Sequence, residues 1–181
     1  MTLRIETFTT EALDDARREA VIELNVAAHR EEEFRQMFTK YIPSGGRHLL
    51  GFLGAQLVTH AVVTTRFAQP HGAPILRTAY VDGVSTHPDH ERQGYGSASM
   101  RRLAASIDDY EIGCLQTDVR GFYEPLGWEL WRGPLAGRED DGTVTPTPDQ
   151  TGVMVLRLPN SPPLDLDGLL TIERQQYRIW E

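Results

Sequence analysis

The chain is short of cysteine: Cys114 is the only one in 181 residues, which excludes an intrachain disulfide. Its setting, Ile112-Gly113-Cys114-Leu115, is apolar, and no base is arranged for it. It reads as a buried core thiol rather than a nucleophile. No apolar run is long enough to span a bilayer, and the opening MTLRIETF has no signal-peptide core. A cytoplasmic protein with no membrane partner is expected. Positive charge is also scarce: 18 Lys and Arg stand against 26 Asp and Glu, a net charge of −8. That balance argues against a nucleic-acid partner. It suits a cationic ligand, and equally plain solubility. None of the six histidines stands in a metal-binding pattern. His87 and His90 merely flank Pro88-Asp89, and Glu139-Asp140-Asp141-Gly142 lacks calcium-loop spacing. No metal is expected. No internal repeat and no low-complexity tract interrupts the chain.

What is present suffices for one core: 40% of residues are hydrophobic and 24% charged. The expectation is a single domain over residues 1–181. Leu3–Phe8 alternates as a strand does. Thr10 is placed to cap a helix reaching Asn25, and Ala28–Tyr41 reads as a second helical stretch. Within it Glu31, Glu32 and Glu33 read as a solvated face. Strands follow over His48–Leu53, Gln56–Phe67 and Ile75–Thr86. Ser97–Tyr110 reads as a helix, with Met100, Leu103, Ala104 and Ile107 on one face. Ile112–Gln116 returns as a strand, and strand–helix–strand implies parallel pairing. Asp118 is placed to cap a short helix toward Leu126, with Pro125 shortening or kinking it. Trp128–Trp131 and Gly152–Leu158 read as strands, and Pro134–Pro148 as a surface loop. Pro159–Pro163 reads as extended linker, and the tail to Trp180 as packing back on the body. The class is α+β, with a mixed, mostly antiparallel central sheet flanked by helices.

The segment carrying most information is Ala79 to Arg102, AYVDGVSTHPDHERQGYGSASMRR. A strand runs into a polar loop ending in Gly94-Tyr95-Gly96, and a helix starts at once. Two nearby glycines also mark ordinary turns. Here they lead into a helix N-terminus, whose free N–H groups suit a phosphorylated ligand. One helix and one strand later comes Phe122-Tyr123-Glu124-Pro125-Leu126-Gly127-Trp128. Together these segments resemble the acyl-CoA-binding core of the GCN5-related N-acetyltransferases (GNAT). That family's signature is Arg or Gln, then x-x-Gly-x-Gly or Ala, and this chain has Glu91-Arg92-Gln93-Gly94-Tyr95-Gly96. Both glycines match; Glu91 departs. The resemblance implies acetyl-CoA as cosubstrate. Its diphosphate would lie on the backbone of Glu91, Arg92, Gln93, Gly94, Tyr95 and Gly96, with the Glu91 side chain turned outward. Its pantetheine amides would pair with Val84, Ser85 and Thr86. Tyr123 matches the tyrosine of the family's Y-x-x-x-G-(F/W) segment, the acid for the departing thiolate. Read alone, it is also a plain core residue.

A longer ordered set is similar to the aminoglycoside 2′-N-acetyltransferases from about Glu33 onward. It comprises HLLGFLGAQLVTHAVVTTRF, ILRTAYVDGV, the Gly-x-Gly loop, FYEPLGW, WRGP, TPTPDQTGVMVLRLP and LDLDG. In that family the strand carries Val-Glu-Gly-Val, whose glutamate acts through water as base on the amine. Here Val81-Asp82-Gly83-Val84 keeps the carboxylate one methylene shorter. Asp82 is thus the implied base, or simply a turn-capping residue. The resemblance further implies substrate contacts at Glu33, Gly83, Gln116, Asp149 and the terminal Glu181. It places residues 158–181 on the substrate side and implies a homodimer. Arg178 stands where the family has an acid. Acetylation of another amine, or CoA binding without turnover, remain the alternatives.

Overall fold

The alternating segments build a mixed sheet joined to a few short helices in an α+β fold. The computed structural model describes residues 2–175 and 179–180. It comprises two compact units, residues 1–64 with 81–105, and residues 65–80 with 106–181.

In the first unit, β1 (Arg4–Thr9) runs antiparallel to β2 (Arg47–Leu53), from Arg4↔Phe52 to Thr9↔Arg47. The first part of β3 (Gln56–Pro70) pairs antiparallel with β2, and Gly54, at φ +60°, makes the tight turn between them. Helix α1 (Asp15–His29) begins at Asp14, whose carboxylate accepts the Arg17 N–H at 2.8 Å. It stops at Arg30, which turns left-handed and sends its N–H to Val26 O. The cap is therefore Asp14 and not Thr10, which lies in a short 3₁₀ turn, Thr10–Ala12, capped by Thr9. A 3₁₀ turn over Glu32–Gln36 and a wide π turn over Met37–Tyr41 replace the expected second helix. Neither turn has a side-chain cap to favour a regular α-helix. Leu13, Val21, Met37, Ile42, Leu50 and Val62 form this unit's core.

In the second unit the strand order is β6-β9-β5-β4-β3-β10-β7-β8. The first residues of β4 (Leu76–Thr86) pair in parallel with β5 (Ile112–Gln116), Thr78↔Ile112 to Tyr80↔Cys114. β5 then pairs antiparallel with β9 (Val153–Arg157), which also takes β6 (Glu129–Leu130). The expected loop Pro134–Pro148 is instead a small hairpin, β7 (Leu135–Arg138) and β8 (Val144–Pro146). Its partner is β10 (Leu170–Glu173), which pairs in parallel with β7 and antiparallel with β3. A neighbouring strand thus organises a stretch whose Gly, Pro and Asp content reads as loop. The tail folds onto this sheet: Trp180 is 1% exposed, Tyr80 Oη donates to its carbonyl, and its indole N–H donates to Thr147 Oγ1. Arg66, fully buried, lies over the Tyr80 ring and donates to Glu173 O at 2.6 Å. Cys114 is buried in the same core as Tyr80, Trp131, Val155 and Ile172.

Helix α2 (Tyr95–Ala104) is shorter than expected. Arg101 and Arg102 suit its C-terminal dipole, whereas Asp108 and Asp109 would oppose any extension. Ile107 is still fully buried, carried by the turn that returns the Tyr110 N–H to Ile107 O. Helix α3 (Arg120–Tyr123) begins after Val119, not at Asp118, and passes into a 3₁₀ turn carrying Pro125.

Candidate active site

The end of β4 departs from strand periodicity. Asp82, Gly83 and Val84 are all half-buried, where alternation would hide every second residue. The cause is Gly83, at φ +55°, a conformation that side chains resist. Its surroundings enforce the same choice. A Cβ on Gly83 would lie 3.2 Å from both Asn25 Oδ1 and His60 Cε1. Beyond the kink, Ser85 points inward, donating to Asn25 Oδ1 at 2.7 Å with its Oγ 3.0 Å from His29 Nε2. Val84 and Thr86 remain half-buried on either side.

The following loop is rigidly built. The His87 N–H bonds Val58 O at 2.8 Å, and His87 Nδ1 accepts the Asp89 N–H, starting a 3₁₀ turn over Pro88–His90. The Glu91 side chain is exposed, and its N–H faces Pro88 O at 3.4 Å. Arg92 at φ +55° and Gly94 at φ +84° reverse the chain twice, and Gly94 becomes the N-cap of α2. A glycine cap brings no side-chain acceptor, and the first helical bond is Ala98 N–H to Gly94 O. Helical geometry leaves the N–H groups of Tyr95, Gly96 and Ser97 without an acceptor in the helix. These amides stand at the positive end of a ten-residue helix, where negative charge is favoured. The helix is anchored beneath by buried Ser99, bonded to Thr59 at 2.7 Å, and by Met100 and Leu103.

Glu33 belongs to the same unit, but its carboxylate already accepts from Tyr41 Oη and lies 3.3 Å from Lys40 Nζ. The other candidates fall in the second unit. Tyr123, 6% exposed, ends α3, with its ring edge-on to Phe122 at 4.8 Å and to Trp128 at 6.2 Å. Gln116 ends β5 and donates to Thr151 O at 3.3 Å. Asp149 is exposed in the Thr147–Gln150 turn, the turn that Thr147 ties to Trp180. Glu181 and Arg178 lie outside the described residues.

Three residues around Gly83 escaped the sequence reading. His60 and His48 are fully buried, and Asn25 lies on the buried face of α1. Burial pushes the His60 imidazole down to about 3 and His48 to about 4, so both are neutral at neutral pH. Their signal was polar side chains on the inward phase of two strands and one helix. Among the described residues no cluster of His, Cys, Asp or Glu is set to hold a metal, and no helix is long and apolar enough to cross a membrane.

A kinked strand, a glycine-capped helix and a strand parallel to the first form the centre of this α+β fold. The acetyltransferase (GNAT) domain family matches residues 10–131, and the chain belongs to that family. A GNAT family N-acetyltransferase (YhbS) from Escherichia coli, solved in complex with CoA, is similar at TM-score 0.66. It shares 12% identity over 98% of this chain and 93% of its own. Escherichia coli ribosomal-protein-S18-alanine N-acetyltransferase is similar at TM-score 0.58 and 15% identity, over 90% of this chain and 96% of its own. Eis1 from Mycobacterium abscessus is similar at TM-score 0.59 and 17% identity over 75% of this chain, which spans 33% of Eis1's length.

Proposed function

We propose that residues 1–181 act as one acetyltransferase domain that moves an acetyl group from acetyl-CoA to the 2′-amine of an aminoglycoside, inactivating the antibiotic. The observation that carries this reading is the pairing of Asp82, at the kink of β4, with the amides that start α2, at Gly94–Ser97, in the same unit. Acetyl-CoA supplies an activated thioester. The chain's share begins with its grip: amides of Tyr95, Gly96 and Ser97 hold the diphosphate, and the backbone of Val84–Thr86 pairs with the pantetheine amides as an added strand would. Asp82 takes a proton from the substrate ammonium through water, exposing the nitrogen lone pair. The nitrogen bonds the acetyl carbon, the carbon–sulfur bond breaks, the Tyr123 hydroxyl protonates the leaving sulfur, and the proton shed by the new amide nitrogen restores the phenol. The net charge of −8 and exposed Glu31 and Asp149 suit a polycation. Glu181 would add its side-chain carboxylate to the same substrate. The reading includes a cytoplasmic homodimer, as the family resemblance implies.

One observation favours a second acceptor class. Glu33 is already engaged by Tyr41 and Lys40, which lowers its value as an ammonium partner and leaves room for a less highly charged amine, such as a peptide N-terminus. Acetyl-CoA consumption across aminoglycoside, polyamine and peptide panels decides between them, with mass spectrometry and NMR locating the new amide. A single acetyl on the 2′-nitrogen is expected. Turnover confined to peptides would overturn the aminoglycoside assignment.

A further inference from the structure

Thr10, His48, His60 and Asn25 are buried polar residues that the proposed reaction does not use, yet they form one continuous line ending at the kink of β4. Thr10 Oγ1 is 3.2 Å from His48 Nε2, and His48 Nδ1 is 3.0 Å from His60 Nε2. His60 Nδ1 is 2.8 Å from Gly83 O. A neutral imidazole has one proton, so each ring can donate at one end and accept at the other. Gly83 O can only accept, which requires the proton on His60 Nδ1. His60 Nε2 must then accept from His48 Nδ1–H, and His48 Nε2 from the Thr10 hydroxyl. Every donor in the line points toward Gly83.

The reverse direction is also built. Asn25 Nδ2, which donates to Val21 O at 2.8 Å, lies 3.1 Å from His60 Nδ1 and would donate to it if that nitrogen lost its proton. His60 Nε2–H would then donate to His48, and His48 to Thr10. Thr10 would turn its hydroxyl to Gly46 O at 3.2 Å or Pro43 O at 3.4 Å. In that direction Gly83 O loses its bond to His60, whereas in the forward direction Asn25 Nδ2 loses His60 Nδ1 as an acceptor and keeps Val21 O. One observation favours the forward direction: the Gly83 contact at Nδ1 is 2.8 Å, against 3.1 Å for Asn25 Nδ2. Both rings are neutral at neutral pH, as each direction requires.

We propose that His60 is a positioning residue for the Asp82-Gly83-Val84 kink, holding the Gly83 carbonyl through Nδ1–H. Thr10 and His48 act behind it by fixing the direction of the hydrogen-bonded line. The proposal deepens, and rests on, the reading of Val84–Thr86 as the cosubstrate strand. It makes Thr10, which touches no residue assigned to substrate or cosubstrate, a determinant of CoA affinity.

The test uses the full chain labelled with ¹⁵N-histidine. Nitrogen–proton correlation spectra report which ring nitrogen of each histidine holds the proton, independently of activity. The expected result is Nδ1–H at both His48 and His60. Thr10→Val removes the first donor without removing bulk, and is expected to move the His60 proton to Nε2. The same variant should weaken CoA binding, read by calorimetry, about threefold to tenfold, the worth of one hydrogen bond. His60→Gln, whose amide also donates and accepts, should stay near wild type, while His60→Leu should not. If His60→Leu fails to fold, Thr10→Val still decides. Nε2–H at His60 in the wild type, or a Thr10→Val chain with a moved proton and unchanged CoA affinity, overturns the proposal. Wild-type protein that binds no CoA, with Nδ1–H at His60, would instead overturn the cosubstrate-strand assignment alone.

Discussion

Tyr123 and Asp82 are the residues where the proposed chemistry turns on single atoms. Tyr123→Phe removes one oxygen and keeps the ring against Phe122 and Trp128. If the hydroxyl protonates the leaving thiolate, kcat falls about a hundredfold while acetyl-CoA still binds. Steady-state kinetics beside CoA titration checks this, and wild-type turnover would take Tyr123 out of the reaction. Asp82→Asn keeps shape and removes the base. Its rate should fall about tenfold to a hundredfold at neutral pH and recover as pH rises and free amine accumulates. A flat deficit across pH would assign Asp82 a structural part only. Both candidates come from short motifs at fixed spacing from the Gly-x-Gly loop. His60 and Asn25 could not be found that way. Their meaning depends on a carbonyl that becomes their neighbour only when β3, β4 and α1 fold together, and no spacing in the chain expresses that.

At the scale of elements, the loop between β4 and α2 is set by backbone conformation more than by side chains. Gly83 and Gly94 both have positive φ, but their surroundings differ. Gly83 is walled by Asn25 and His60, while a Cβ on Gly94 would meet open space. Gly94→Ala should therefore cost about 1 kcal/mol of strain. Gly83→Ala should cost more, because packing adds to the strain and the hydrogen bond to His60 is disturbed. Denaturant midpoints rank the two, and equal losses would show that the wall around Gly83 yields freely. The elements read well from sequence where alternation or helical spacing ran long: β2, β3, β4, β5 and β9 lie within a few residues of expectation. They read poorly where pairing, not composition, makes the strand. β7, β8 and β10 have four, three and four residues, too few for a period to show, and the parallel β7–β10 contact joins segments over thirty residues apart. Helix ends failed for a local reason: Thr10 and Asp118 are good caps, but Asp14 and Val119 hold the actual first turns.

For the whole molecule, the two neutral histidines predict how stability varies with pH. An unfolded chain exposes both near the ordinary histidine value of 6.5, whereas burial holds them at about 4 and about 3 in the folded state. Below 6.5 the unfolded state therefore binds more protons, and acid favours it. Stability should be complete above pH 6.5 and fall as pH drops toward 4, by up to about 1.4 kcal/mol per pH unit for each histidine. Arg18 reinforces the low value of His48 and Glu11 opposes it, while His48 and His29 reinforce that of His60. Glu173, raised by burial, acts in the opposite sense, but only nearer the carboxylate range. The depressed carboxyls Glu11, Glu23, Asp141 and Asp167 also titrate there. The interval from pH 6.5 to 5 thus belongs mainly to histidine. Urea midpoints measured across it should slope downward in the wild type and less steeply in a His48→Gln, His60→Gln double variant, where His29, which burial also lowers, carries the remaining slope. A wild-type midpoint that stays level from pH 7 to 5 would mean the folded rings take up protons as readily as unfolded ones, and the line of donors toward Gly83 would break as the pH falls through that range.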